Sequence, residues 1–278
     1  MTGSSVSTPE HIQAAADRLA AAAAGRVGCA PVRDLLADVD DAYAVQLLST
    51  ERELAKGRRI AGRKIGLTSK AVQRQLKVDS PDFGVLYADD IHGDADPADL
   101  DRFLLPRVEA EVAFVLGHDL DLPHPSVLDV IRAIEFVAPA IEIVDSRITG
   151  WDITLVDTVA DNASGAATVL GSPVRWPVGD PAALDLRTCG AVIEHRGEVV
   201  SVGAGAACLG NPLNAVTWLA RELLRRGDAL RAGDLVLSGA LGPMVAVSAP
   251  GIFEARIEGL GSIRAAFDGT PHRPEETS

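Results

Sequence analysis

The spacing of apolar residues changes about sixty residues into the chain. Before that point it is helical: one helix is predicted from the capping residue Thr8 to Ala24, ahead of Gly25, and a second from Asp40 to Lys56. After it, short apolar runs alternate with polar residues and are separated by glycine-rich turns, which is typical of β-strands. The pattern therefore predicts a helical N-terminal part followed by a strand-rich domain.

Alternation and turn residues locate the elements of the second part. A helix is predicted over 126–136, and another begins after Asn211 and Pro212. The predicted strands cover 108–116, 140–148, 186–194, 198–202, 235–238, 244–247 and 253–257. We divide the chain into a helical part (1–75), a β-rich domain (76–268) and a polar tail expected to be flexible (269–278).

Charge and cysteine content narrow the class of protein. The net charge is −13, from 39 acidic and 26 basic residues, which argues against nucleic acid or an anionic membrane surface as a partner. No run of about 18 apolar residues is present, so no membrane span is expected. The three cysteines have no CxxC spacing, which favours a reducing cytoplasm over a disulfide framework.

Two glutamates in the segment PRVEAEVAFVLG form the most informative motif. Because strand side chains alternate between faces, Glu109 and Glu111 project together from an otherwise apolar strand. Two adjacent carboxylates repel each other and resist burial unless a cation offsets their charge. Glu142, in the apolar segment PAIEIVDSRI, supplies a possible third carboxylate.

An all-oxygen set of this kind suits a hard cation such as Mg²⁺ or Mn²⁺. The six histidines are scattered without HxH or HxxxH pairs, so a zinc site is not expected. Spacing alone leaves open a second interpretation, in which Glu109 and Glu111 line a solvated outer face.

A lysine and a polar loop are weaker candidates for functional groups of the same site. Lys64 lies in the glycine-flanked segment AGRKIGLTS and is one of only four lysines among the 26 basic residues. A buried lysine can act as an acid or base because its pKa is easily shifted, although spacing alone favours a surface ion pair. The loop-like segment DTVADNASGAATVLG contains Asn162 and Ser164, which can hold a carboxylate but also occur in simple turns.

Several of these segments, in this order, resemble the 2-oxopent-4-enoate (2-hydroxypenta-2,4-dienoate) hydratase family of the fumarylacetoacetate-hydrolase-like superfamily. The resemblance covers roughly residues 58–267 and rests on GRKIGLTSKAVQRQLKVDSPDFGVLYADD, PRVEAEVAFVLG, PAIEIVDSRI, DTVADNASGAATVLG, GNPLNAVTWLA and GDLVLSGALGPMV. It implies an α+β fold with a mixed β-roll or sandwich core and a helical N-terminal part. It also implies a homo-oligomer, often a pentamer or decamer.

The same resemblance implies roles for eight side chains. They are the Mg²⁺ or Mn²⁺ ligands Glu109, Glu111 and Glu142, the catalytic residues Lys64 and Asp82, and the substrate contacts Asn162, Ser164 and Leu86. Burial in a water-excluding pocket is expected to bring the pKa of Lys64 towards neutrality.

The implied activity is the addition of water to 2-hydroxypenta-2,4-dienoate, or a short alkyl homologue, giving a 4-hydroxy-2-oxo acid. The pathway would be the meta-cleavage catabolism of aromatic compounds or steroids. One alternative is decarboxylation of a 2-oxo-3-enedioate (4-oxalocrotonate), although the SGALGPM turn resembles the hydratases more closely. Another is a non-catalytic partner subunit of a hydratase–decarboxylase complex.

Overall fold

The computed structural model describes residues 7–76, 78–177 and 184–269. Within these ranges the α-helices are α1 Pro9–Gly25, α2 Val39–Ala55, α3 Lys70–Leu76, α4 Val127–Ala133, α5 Leu155–Ala160 and α6 Pro212–Arg225. The strands are β1 Ile60–Gly66, β2 Asp82–Tyr87, β3 Ile91–His92, β4 Pro97–Asp99, β5 Arg107–Leu116, β6 Ile134–Val144, β7 Gly165–Leu170, β8 Val174–Arg175, β9 Gly190–His195, β10 Glu198–Ala204, β11 Leu235–Leu237, β12 Val245–Ala246, β13 Gly251–Ile257 and β14 Gly261–Asp268.

The two N-terminal helices form as the sequence predicts. The Thr8 side chain caps α1 by accepting from the backbone N–H of His11, and Asp38 caps α2, which begins one residue before the predicted start. The alanine-rich face of α1 is buried and packs against α2. In the part of the chain that the structure describes, none of the helices has both the length and the hydrophobicity of a membrane span.

The strands form two sheets. The larger has nine strands, in the order β2-β1-β11-β5-β6-β7-β3, with β12 beside β5 and β8 beside β6. It is mixed, because β1 pairs parallel to β11 and β3 parallel to β7, whereas the other pairs are antiparallel. Strand β1 belongs to this sheet although it lies within the predicted helical part, residues 1–75.

The smaller sheet has the order β10-β9-β13-β14-β4 and packs against β5, β6 and β7 of the larger one. We call the packed side of the larger sheet the core face. On β5 the core face carries Val108, Ala110, Val112 and Phe114, all of which are buried. The opposite side, which we call the site face, carries Glu109 and Glu111. One strand therefore supplies both the hydrophobic core and the candidate chemistry.

Two segments differ from the sequence prediction. The helix predicted over 126–136 ends at Ala133, and β6 begins at Ile134, six residues earlier than expected. Within the segment interpreted as a loop, 155–160 form α5 and 165–170 form β7; α5 is started by a capping box of Thr154 and Asp157. The tail predicted to be flexible, 269–278, lies outside the described residues except for Gly269.

Buried Asp157 ties the N-terminal part to α5. Its carboxylate accepts hydrogen bonds from the backbone N–H groups of Val32 and Arg33 at 2.9 Å and from Thr154, and it pairs with the Arg33 guanidinium at 2.8 Å. Burial alone would raise the pKa of Asp157, but the hydrogen bonds from Thr154 and Arg33 outweigh it and hold the pKa below its ordinary value.

Replacing Asp157 by alanine is expected to lower the free energy of unfolding by about 3 kcal/mol, because buried donors lose their acceptor. The wild-type contribution is complete above the unfolded-state pKa and is lost as the pH falls through the lowered folded-state pKa. Urea denaturation at pH 7 and pH 3 measures both effects. Asp152→Ala removes the exposed partner of the same Arg33 and should cost no more than about 1 kcal/mol. Equal losses from the two variants would contradict this assignment.

Candidate metal centre and active site

The three glutamates converge because of strand register. Glu109 on β5 lies directly opposite Glu142 on β6, and Glu111 follows two residues along the same face. One carboxylate oxygen from each lies within 4.8 Å of the others. Glu111 and Glu142 are 0% and 1% exposed, and only Glu109 is partly exposed. The interpretation as a solvated outer face is therefore wrong.

The electrostatics of this cluster are unfavourable without a cation. Burial, and then the charge of Glu142, raises the pKa of Glu109 to about 7 and also raises the pKa of Glu111 well above its ordinary value. Glu111 Oε1 and both Glu142 oxygens are buried without a hydrogen-bond partner in the described part of the chain. Unpartnered buried oxygens in an all-carboxylate set fit a hard divalent cation well.

The glycine-rich turn after β11 orients Glu111. The backbone N–H of Gly239 donates a 2.8 Å hydrogen bond to Glu111 Oε2. Gly239 has φ +97°, and a Cβ there would lie 2.4 Å from the Thr68 hydroxyl oxygen. Only glycine lets the backbone come this close to Thr68 while its N–H points at the carboxylate.

Replacing Gly239 by alanine is therefore expected to displace this N–H and weaken divalent-metal affinity by roughly 10- to 100-fold, as for other outer contacts that orient a ligand. Mn²⁺ titration of the purified variant measures the loss. Gly233→Ala is the matched control, because Gly233 has φ +90° with nothing within 4 Å of the added methyl group. If both variants bind Mn²⁺ like the wild type, Gly239 has no orienting role.

Lys64, which the sequence analysis named as a candidate acid or base, lies on the site face of β1. Its Nζ donates a 2.8 Å hydrogen bond to the Ala163 carbonyl and lies 3.2 Å from Glu142 Oε1. That second contact is an ion pair without hydrogen-bond geometry. Burial alone would lower the pKa of Lys64, but the charges of Glu142 and Asp82 outweigh burial and raise it. The expected shift towards neutrality is therefore not found.

Asp82, at the start of β2, lies beside Lys64. It is 2% exposed, and its Oδ1 has no hydrogen-bond partner in the described part of the chain. Burial raises its pKa, and Lys64 offsets part of that rise. A Cβ added at Gly66 would meet Asp82 Oδ1 at 2.1 Å and Lys64 Nζ at 3.4 Å. The ammonium and the carboxylate thus border the same space, which Gly66 keeps open.

The loop before β7 has three consecutive residues with left-handed backbone: Asn162 (φ 55°), Ala163 (φ 50°) and Ser164 (φ 56°). Such conformations are costly for residues other than glycine and cluster at functional sites. Here they aim the Ala163 carbonyl at Lys64.

The side chains of Asn162 and Ser164 already have partners. The Asn162 amide accepts from the backbone N–H of Val85 and donates to its carbonyl, so it fastens the loop to β2. The Ser164 hydroxyl shares a 3.1 Å hydrogen bond with Thr158. Their predicted contacts with substrate stay predictions.

An apolar floor adjoins the charged cluster on the site face. Leu86 is buried there, opposite Gly62 of β1, together with five neighbours on three strands: Ala113 of β5, Ala138 and Ala140 of β6, and Leu235 and Leu237 of β11. A cavity of about 670 Å³ reaches Leu86 and Thr168 from beneath α2, but none of the three glutamates lines it. The cavity therefore adjoins the site at Leu86 and Thr168, while the carboxylate cluster locates the metal centre by its chemistry.

Sequence reasoning missed the groups that act through the backbone or through register. The Gly239 N–H and the Ala163 carbonyl are backbone groups, so the residue type at these positions does not indicate their role. Thr168 on β7 lies opposite Glu142, and its buried hydroxyl has no partner in the described residues. Only the register of β6 and β7 brings it to the site.

Comparisons with known proteins show the family to which this chain belongs. A family model described as "Fumarylacetoacetate (FAA) hydrolase C-terminal" matches residues 59–268. A 2-keto-4-pentenoate hydratase from Paraburkholderia xenovorans (strain LB400) is 53% identical, over 94% of this chain and 96% of the relative. The 2-keto-4-pentenoate hydratase 1 of Dechloromonas aromatica (strain RCB) is also 53% identical, over 92% of this chain and 96% of the relative.

A solved structure is similar over nearly the whole chain. The 4-oxalocrotonate decarboxylase from Pseudomonas putida G7, complexed with magnesium and adipate, superposes with a TM-score of 0.88. It is 35% identical and covers 94% of this chain and 98% of its own. The predicted α+β fold and the predicted resemblance are both confirmed. The chain belongs to the fumarylacetoacetate hydrolase family.

Proposed function

We propose that this chain is a hydro-lyase that adds water to 2-hydroxypenta-2,4-dienoate or a short alkyl homologue, giving a 4-hydroxy-2-oxo acid. The observation that carries the proposal is the buried cluster of Glu109, Glu111 and Glu142 with Lys64 beside it. The hydratase names of relatives 53% identical to this chain support the reaction type. We place the reaction in the meta-cleavage catabolism of aromatic compounds or steroids.

Mg²⁺ or Mn²⁺ is the proposed cofactor, and Glu109, Glu111 and Glu142 would hold it. The hard oxygen donors and their unpartnered buried atoms fit such an ion, and the decarboxylase of similar structure is complexed with magnesium. A bound divalent cation supplies Lewis-acid chemistry, which draws electron density from the 2-oxo group of the substrate.

Lys64 and Asp82 are the proposed acid–base pair. Both border the space beside Gly66, and the hydrogen bond to the Ala163 carbonyl fixes the position of the Lys64 ammonium. The pair takes the proton of the substrate's 2-hydroxyl and delivers a proton to C5, giving an α,β-unsaturated 2-oxo acid. Water then adds its oxygen at C4, and its second proton goes to C3. The buried surroundings of the pair exclude bulk water from these transfers.

Substrate binding is proposed to use both parts of the site face. The polar head of the dienoate would lie at the carboxylate cluster near the 162–164 loop, with Asn162 and Ser164 as contacts. Leu86 and the apolar floor would contact the hydrocarbon tail. Homologues that differ by a methylene group would be discriminated by only about 1–3 kcal/mol there.

Decarboxylation of 4-oxalocrotonate is the second candidate, because the enzyme of similar structure has that name. Its 35% identity is lower than the 53% of the hydratases, which favours hydration. A non-catalytic subunit is disfavoured by the intact cluster of carboxylates and Lys64.

Product analysis tests the proposal. Freshly generated 2-hydroxypenta-2,4-dienoate is incubated with the Mn²⁺-loaded protein, and the product is identified by NMR. We expect 4-hydroxy-2-oxopentanoate, with turnover lost in EDTA and restored by Mn²⁺. Release of CO₂ from 4-oxalocrotonate without hydration of the dienoate would establish the decarboxylase instead. If the protein converts neither substrate, the remaining interpretation is a non-catalytic partner subunit.

A homo-oligomer in the cytoplasm, pentameric or decameric, completes the proposal. Exposed apolar side chains on the smaller sheet, at Val199, Val202 and Ile252, support self-association. The three cysteines are free, as expected in a reducing compartment. Light scattering after gel filtration measures the mass of the assembly, and a monomer would contradict the oligomer.

A further inference from the structure

Arg107 occupies the open end of the candidate site. It is the first residue of β5 and shares the site face with Glu109 and Glu111, which follow at intervals of two. Exposure falls along this row, from the partly exposed Arg107 and Glu109 to the fully buried Glu111. A ligand that reaches the glutamates from solvent at this end therefore passes Arg107.

Trp151 holds the Arg107 side chain in place. The guanidinium carbon lies 4.3 Å from the centre of the indole ring, a cation–π contact. The indole N–H donates a 3.0 Å hydrogen bond to the Leu105 carbonyl, which fixes the ring. Trp151 has φ 59°, a costly conformation for a bulky residue. The ring is therefore held against the guanidinium by a residue whose backbone conformation is strained.

Arg107 has no carboxylate partner in the described part of the chain, although most arginines there form ion pairs. Its polar contact is with the Met244 sulfur at 3.2 Å, a weak acceptor. Met244 is 42% exposed, so this contact lies at the protein surface. A preoriented guanidinium with unused donors is well suited to a carboxylate.

The negative charge of the site would repel an anionic substrate, and the Arg107 guanidinium can offset this repulsion. With Glu109, Glu111, Glu142 and Asp82 all ionised, Lys64 and a divalent cation together leave the site with one negative charge. An anionic oxo acid would meet repulsion on entry. We propose that Arg107, stacked on Trp151, captures the carboxylate of the incoming substrate at the mouth of the site. This inference rests on the proposed function, since it assumes that the substrate is an anionic oxo acid.

The test compares Arg107→Gln with Arg107→Lys and Trp151→Leu. Calorimetric titration of each Mn²⁺-loaded protein with 2-oxopentanoate, a saturated analogue that cannot be hydrated, gives Kd. We expect Arg107→Gln to weaken binding roughly 10- to 100-fold, because a hydrogen-bonded charge pair is lost. Arg107→Lys keeps the charge but not the planar fork and should weaken binding less, as should Trp151→Leu.

Salt dependence and a control variant complete the test. In Arg107→Gln, kcat/KM should rise more steeply with ionic strength than in the wild type, because Arg107 no longer offsets the repulsion that salt screens, while kcat should change little. Arg59→Gln removes the same charge from an exposed position at the opposite end of the sheet and should behave like the wild type. Mn²⁺ affinity should be unchanged in every variant.

Two results would overturn the proposal. One is Arg107→Gln matching Arg59→Gln in Kd and in salt dependence. The other is a loss of Mn²⁺ affinity in Arg107→Gln, which would show a structural role. Failure of the proposed function has a different signature, because the wild type itself would then not hydrate the dienoate, whatever its affinity for 2-oxopentanoate.

Discussion

Replacing Glu111 by glutamine is expected to reduce hydration by roughly 10³-fold or more, because several kcal/mol of transition-state stabilisation depend on the cation. Glutamine has the same shape, and its carbonyl oxygen can still accept the hydrogen bond from Gly239. The substitution therefore removes a metal-binding charge without removing a contact. Steady-state kinetics and Mn²⁺ titration should show activity and metal affinity falling together.

The stability of the same variant separates function from folding. Glu111→Gln removes one of three clustered negative charges, so the melting temperature in EDTA is expected not to fall. Glu198→Gln, at an exposed position on β10, is the matched control and should keep full activity. If Glu111→Gln retains wild-type turnover at saturating Mn²⁺, Glu111 is not a ligand that the reaction needs.

Replacing Lys64 by methionine is the second change with a large expected effect. Loss of a positioned acid or base typically costs about 10²- to 10⁴-fold in kcat. Methionine fills a similar volume but leaves Glu142 Oε1 and the Ala163 carbonyl without their cation. The melting temperature in EDTA should therefore fall, unlike that of Glu111→Gln, because a buried charge loses its partner.

A matched substitution elsewhere controls for the chemical change. Lys70→Met alters an exposed lysine whose ammonium contacts Gln73 on the same helix. It should leave both kcat and the melting temperature near wild-type values. A Lys64→Met protein that binds Mn²⁺ and keeps wild-type kcat would remove Lys64 from the mechanism.

The local patterns in the sequence predicted the parts of the fold that they determine. The capping residue Thr8 and the apolar spacing after it located α1, and alternation located β5 with both glutamates on one face. Side-chain periodicity is a local property, so it can be read without knowing the tertiary structure. The contact between Glu109 and Glu142 needs the pairing of β5 with β6, which periodicity alone does not give.

The remaining features depend on contacts between distant segments. The helix predicted to run to residue 136 ends at Ala133 because the next residues pair with β5, which overrides their helical spacing. The direction of the Lys64 pKa shift depends on the carboxylates around it, and burial alone predicted the opposite sign. The hydrogen bond between Lys64 and the Ala163 carbonyl depends on the left-handed backbone of residues 162–164, which the sequence pattern does not predict.

Strand β5 ties correct folding to ion binding. Its glutamates alternate with core residues, so a slip of one residue against β6 would turn Glu109 and Glu111 inward and Val108 and Ala110 towards the site. A chain mispaired in this way could collapse and still regain much of its secondary structure, yet it would have no cage of carboxylates. Recovery of tight Mn²⁺ binding after dilution from denaturant would thus count correctly registered molecules, where circular dichroism counts every β-rich one.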